Sequence, residues 1–96
     1  MNEHARISRE NPVELDLSGT FIRRTDLSGA NLERADLSDA DCTNVNFRGA
    51  NLKDADLTGT ILRGADLTGA TNLTREQLGK AIVDEMTKLP EFLERA

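Results

Sequence analysis

From Leu17 to Leu67 every fifth residue is apolar: Leu17, Ile22, Leu27, Leu32, Leu37, Cys42, Phe47, Leu52, Leu57, Leu62 and Leu67. A helix repeats at 3.6 residues and a strand at 2, so neither alone produces this beat. Two residues before each apolar centre the chain is small, as at Ala30, Ala35, Ala40, Ala50, Ala55 and Ala65, with Thr20, Thr25, Val45 and Thr60 as variants. One residue before the centre stands Asp or Asn, except at Phe21 and Ile61. Two residues after it Gly recurs, as at Gly19, Gly29, Gly49, Gly59, Gly64 and Gly69. Extended residues two apart point the same way. The small residue and the centre therefore face inward and the Asp or Asn between them faces outward. The Ser, Thr and Gly that follow have turn chemistry. Each unit is a short side and a corner, and repeating it winds a coil whose stacked turns share one apolar column.

Two features favour four sides. With residues 20 apart stacked, Glu33 falls over Lys53 and Arg34 over Asp54, both complementary pairs. Phe21 and Ile61, 40 apart, then land on one side. A three-sided coil rewards neither. The four faces are unequal. One is acidic, with Asp16, Asp36, Asp39 and Asp56; the next carries Phe21, Ile61, Arg23, Arg24 and Arg63; one has the matched ion pairs; one is plain.

The units Ala30-Asn31-Leu32-Glu33-Arg34, Ala50-Asn51-Leu52-Lys53-Asp54 and Ala65-Asp66-Leu67-Thr68-Gly69 resemble the A(D/N)LxX signature of pentapeptide-repeat proteins. The resemblance covers roughly residues 15–72 and implies an all-β solenoid, a right-handed quadrilateral β-helix of just under three coils. Some members of that family resemble a DNA duplex in shape and charge and act on DNA gyrase.

Flanking segments read as ends of the coil. Thr74 and Gln77 make a capping box, and Leu73 with Leu78 a hydrophobic staple, so a short helix starts near Arg75, with Gly79 placed to stop it. Ala81-Ile82-Val83 reads as a last extended piece over the column, and Pro90 as the start of a helix carrying Phe92 and Leu93. The organisation expected is an N-terminal segment 1–14, partly mobile or capping through Pro12, Val13 and Leu15; a β-helix 15–72; and a helical C-terminal cap 73–96. Phe92 and Leu93 are the candidate cap or homodimer contact.

Composition narrows the function. The net charge of −5 and three Phe as the only aromatic residues argue against direct nucleic-acid binding, which calls for a basic footprint and stacking platforms. No apolar run approaches the ~20 residues of a membrane span, and Met1 to Asn11 lacks a signal-peptide core. With Cys42 as the sole cysteine, a cytoplasmic location is expected. His4 stands alone in a polar tail, and Cys42 occupies an inward position, so neither reads as a catalytic group or metal ligand. No cofactor is expected. The Asp and Asn slots read first as turn supports. The reading is a non-catalytic interaction scaffold with a protein partner. The alternatives are a DNA-mimic modulator of DNA gyrase or another DNA-handling enzyme, and, last, an enzyme.

Overall fold

The computed structural model describes residues 15–94. Parallel bridges join residues 20 apart: Asp16–Asp36–Asp56, Phe21–Asp41–Ile61, Asp26–Asn46–Asp66 and Asn31–Asn51–Thr71. Four columns recurring every 20 residues mean four pentapeptides per turn of the coil. These columns define the first to fourth faces, in that order. The backbone explains why five-residue units stack. In each turn the outward residue donates its N–H to the turn before, as Asp41 does to Thr20 O (2.8 Å), and the next residue donates to the turn after, as Cys42 does to Ile61 O (2.8 Å). No side holds more than these few extended residues, because a corner follows. There the carbonyl of the centre accepts from the N–H three residues on, as Leu37 O does from Ala40 N (3.0 Å).

The third residue of each such turn takes positive φ. Glycine fills it at six corners, Gly59 and Gly64 among them, but Arg24, Arg34, Asp39, Asn44 and Asp54 fill it at others, with φ of 58° to 62°. A Cβ at Gly59 or Gly64 would meet the side chain of Asp39 or Asn44 from the preceding turn. At those two corners glycine is therefore needed twice over, for φ and for room.

The inward residues form one column. Leu32, Leu37, Cys42, Val45, Phe47, Leu52, Leu62 and Leu67 are almost wholly buried. Each fully buried Leu contributes about 1.5–3 kcal/mol. Alanines occupy the second inward slot and let the walls close. Thr60 replaces one of them, and its hydroxyl donates to Leu37 O (2.6 Å), so no buried polar atom is stranded. Leu17, Ile22 and Leu27, in the first described turn, are only part-buried.

At the other end the repeat gives way to α1 (Arg75–Gly79) and α2 (Glu91–Glu94). The capping box at Thr74 and Gln77 is present. Gly79 does not act as the predicted stop. It lies inside α1, and Lys80 follows in an ordinary right-handed conformation, its N–H donating to Gln77 O. Gln77 does more than cap, since its Nε2 also donates to Leu52 O (2.8 Å) and Ala55 O (2.9 Å). The segment after α1 rejoins the stack. Ile82 pairs with Ile61 and Lys88 with Asp66, at spacings of 21 and 22 residues rather than 20. Thr87 Oγ1 donates to Leu62 O (2.7 Å). Pro90 is buried immediately before α2. Residues 1–14, with His4, Pro12 and Val13, lie outside the described residues.

Candidate interaction face

Most outward Asp and Asn side chains do one local job. The Oδ1 atoms of Asp16, Asp26, Asn31, Asp36, Asp41, Asn46, Asn51, Asp56 and Asp66 each accept the backbone N–H two residues on, at 2.9 to 3.1 Å. Where that residue is Ser or Thr, its hydroxyl often donates as well, as from Ser18 to Asp16 (2.7 Å) and from Ser38 to Asp36 (2.6 Å). Such bonds brace the corner.

On the first face this accounts for Asp16, Asp36 and Asp56. The Ser18 hydroxyl, then its N–H, holds Asp16 below the usual carboxylate range. Thr58 does the same for Asp56, with a smaller contribution from Lys80. The sequence placed no basic residue on this face; Lys80 reaches it from beyond the repeat. Asp39 sits at a left-handed corner over Gly59. The acidic column thus has a structural explanation at each level.

Of the matched charge pairs, Glu33 with Lys53 is corrected by the structure. Their register holds, since Arg34 N donates to Lys53 O (2.8 Å). Glu33 and Lys53 nevertheless form no salt bridge, whereas Arg48 and Asp66 do so between neighbouring turns (3.2 Å), on the third face. Glu33 and Lys53 stand at outward positions where long side chains are solvated, so register alone does not pair them.

The second face differs. The bridges set Phe21, Asp41, Ile61 and Ile82 in one column. Phe21 is 84% exposed and Ile82 39% exposed; Ile61, between two rungs, is part-buried. Phe21 and Ile61 occupy slots that elsewhere hold the bracing Asp or Asn, so Arg23 and Arg63 have no such acceptor before them. Asp41, between them, accepts from the Thr43 hydroxyl (2.6 Å) and N–H (3.1 Å). These bonds lower its pKa, and Arg23 and Arg63 on either side lower it further. Arg24 is at the adjoining corner with φ 62°. The structure therefore brings Phe21, Arg23, Arg24, Ile61 and Arg63 onto one side. It adds Ile82 and, beside it, Asp84, whose Oδ1 accepts from Gly64 N (3.1 Å) and from the N–H of exposed Met86 (3.0 Å). The sequence placed Ala81-Ile82-Val83 over the column but gave no face for it, because α1 interrupts the five-residue beat before Ile82.

The two residues of the terminal patch separate. Leu93 packs against the core while Phe92 remains 53% exposed, beside Thr71 and Pro90. Cys42 is buried, and burial, aided by Asp41, pushes its thiol up to about 12. That environment keeps it protonated and shielded, the reverse of what a nucleophile needs. Among the described residues no group of three His, Cys, Asp or Glu could hold a metal ion, and no helix is long and apolar enough to cross a membrane.

A coil of four pentapeptides per turn defines a class of solenoid. The family model for pentapeptide repeats matches residues 14–41 and 35–75. The chain belongs to the pentapeptide-repeat family, whose members are right-handed β-helix solenoids and in general structural or interaction modules rather than enzymes. Among solved structures it is similar to the pentapeptide repeat protein Rfr23 from the cyanobacterium Cyanothece 51142, at 28% identity and a TM-score of 0.53, covering 77% of this chain and 53% of that one. It is similar also to HetL of Nostoc sp. strain PCC 7120, a protein involved in heterocyst differentiation regulation, at 27% identity and a TM-score of 0.45, covering 76% of this chain and 42% of that one. A pentapeptide repeat protein of the Arabidopsis thaliana thylakoid lumen aligns at 23% identity and a TM-score of 0.31, covering 76% of this chain and 57% of that one. The chain spans about half the length of these structures. No curated protein matches it.

Proposed function

We propose that this chain is a rigid, non-catalytic interaction module that offers its second face to a protein partner. One observation carries the reading. At Phe21 and Ile61 apolar side chains stand where the repeat elsewhere places a turn-bracing carboxylate or amide. A local bond worth about 0.5–1.5 kcal/mol is given up there, and Phe21 is left 84% exposed. Positions that break a repeat's own structural rule are where function is expected. Exposed Phe beside Arg23, Arg24 and Arg63 is also the composition enriched at interface centres. In the same reading the coil has just under three turns, the segment from Leu73 caps it, and the protein works in the cytoplasm.

The test is crosslinking capture from the native cell with the wild-type chain beside a Phe21→Asp, Ile61→Asn variant. Both substitutions return an Asx acceptor to the turn, so the fold is retained. Loss of the captured protein in the variant supports the face; an unchanged set of partners removes it. A DNA-mimic role would draw on the acidic face, whose Asp16, Asp36 and Asp56 each have one oxygen engaged in a turn. That role predicts gyrase inhibition or drug protection in a supercoiling assay.

A further inference from the structure

We propose that the second face is self-complementary and receives a second copy of this chain, packed antiparallel about a two-fold axis that lies in the interface plane, perpendicular to the coil axis. The inference rests on reading this face as the interaction face, and it names the partner. Its warrant is the order of side chains along the coil. At the N-terminal end stand Phe21, Arg23 and Arg24; next comes Asp41; then Ile61 and Arg63; and at the C-terminal end Ile82 and Asp84, with Glu85 and Met86 in the turn that Asp84 opens. Asp84 is fixed beside this face by its bond from Gly64 N. Three arginines thus meet three carboxylates on one strip, in a chain whose net charge is −5. The two signs are separated by position, with Arg23 and Arg24 at one end and Asp84 and Glu85 at the other.

Rotating a second copy about such an axis between the Asp41 and Ile61 levels matches the two outer levels. Phe21 meets Ile82 and Met86 of the second copy, themselves 39% and 64% exposed. Arg23 and Arg24 meet Asp84 and Glu85 of the second copy. At the two inner levels Asp41 meets Ile61 of the second copy, with the Arg63 of that copy two residues further along. The reverse contacts follow by symmetry, so the pair is closed and leaves no free end to grow a filament. A parallel arrangement fails, because it sets Arg23 against Arg23 and Glu85 against Glu85, and like charges directly opposed are destabilising. The strip spans four rungs, about 15 Å at ~4.8 Å per rung. It therefore buries less than the ~800 Å² per partner of a standard interface, and the pair is a weak one.

The experiment is sedimentation equilibrium on the full chain, from about 10 µM to about 1 mM, at low and high salt. The wild type is expected to form a dimer that high salt weakens. An Arg23→Glu, Arg24→Glu variant and a Glu85→Lys variant are each expected to associate at least about tenfold more weakly. Their equimolar mixture is expected to recover association in part, because one end of the mixed pair keeps the wild-type contacts and the other sets a lysine at position 85 against acidic side chains. Circular dichroism confirms that both variants are folded. In a Phe21→Cys, Met86→Cys chain, oxidation is expected to link position 21 of one copy to position 86 of the other. The same two positions within one chain are too far apart for the ~7 Å limit of a disulfide. A wild type that stays monomeric at the highest concentration overturns the proposal. So does a mixture that associates no better than either variant, or a link between the two position-21 cysteines. A monomer that still captures another protein in a Phe21-dependent way overturns the self-pairing and leaves the interaction module standing.

Discussion

The first and second faces share one backbone and use it differently. On the first, Asp16, Asp36 and Asp56 repeat at every level, and each holds the turn that follows it. On the second only Asp41 does so, while Phe21 and Ile61 brace nothing. The same slot thus serves stability on one side and leaves side chains free on its neighbour. A charged ladder in a solenoid is therefore weak evidence for a binding surface until its local bonds are known. A missing brace is stronger evidence.

Substitutions separate the two uses. The largest effect sets the scale: Phe47→Ala removes a ring that is wholly buried behind the third face. It is expected to cost about 3–5 kcal/mol in urea unfolding and to weaken every face together. Asp36→Ala on the first face is expected to cost about 1 kcal/mol and to leave association unchanged. A measured loss of association there would erase the distinction between the faces.

Acid sharpens the same contrast. Ser18 and Thr58 hydroxyls and N–H groups lower the pKa of Asp16 and Asp56. The stability these bonds supply is present above the unfolded carboxylate pKa of about 3.9 and is lost as pH falls through the lower folded values. Thermal melts should therefore fall as pH drops below about 4. An Asp16→Asn, Asp56→Asn variant should show a shallower fall. The smallest effect is the most telling. Phe21→Asp supplies an acceptor for Arg23 N–H and is expected to raise stability by a few tenths of a kcal/mol while abolishing association. A Phe21→Asp chain that is clearly less stable would mean that Phe21 packs for the fold after all.

How much of this was legible in sequence follows from what repeats. The inward column, the four sides and the shared side of Phe21 and Ile61 all rest on a fixed period, and a period propagates without error from unit to unit. The capping box at Thr74 and Gln77 was legible because it is local. Ile82 was legible as part of a short apolar piece, Ala81-Ile82-Val83, laid over the column, but the second hydrogen-bonding role of Gln77, the return of Lys88 to the stack, and the reach of Lys80 to Asp56 lie beyond the period. Each depends on how α1 redirects the chain, which no local pattern encodes. The ion pair formed at Arg48 and Asp66 instead of Glu33 and Lys53 because register sets which residues are neighbours, and side-chain length and solvation decide which of them touch.

The 20-residue register has a consequence for how such a chain tolerates insertions and deletions. Removing one pentapeptide between Phe21 and Ile61 would keep every apolar residue inward and every corner in place. It would also carry Ile61 and Arg63 a quarter turn onto the first face, away from Phe21. Core composition would be untouched and the surface scrambled. Only the loss or gain of four units at once preserves both. For this molecule, length measured in single units is neutral for folding, while length measured modulo four decides which side chains meet the outside world together.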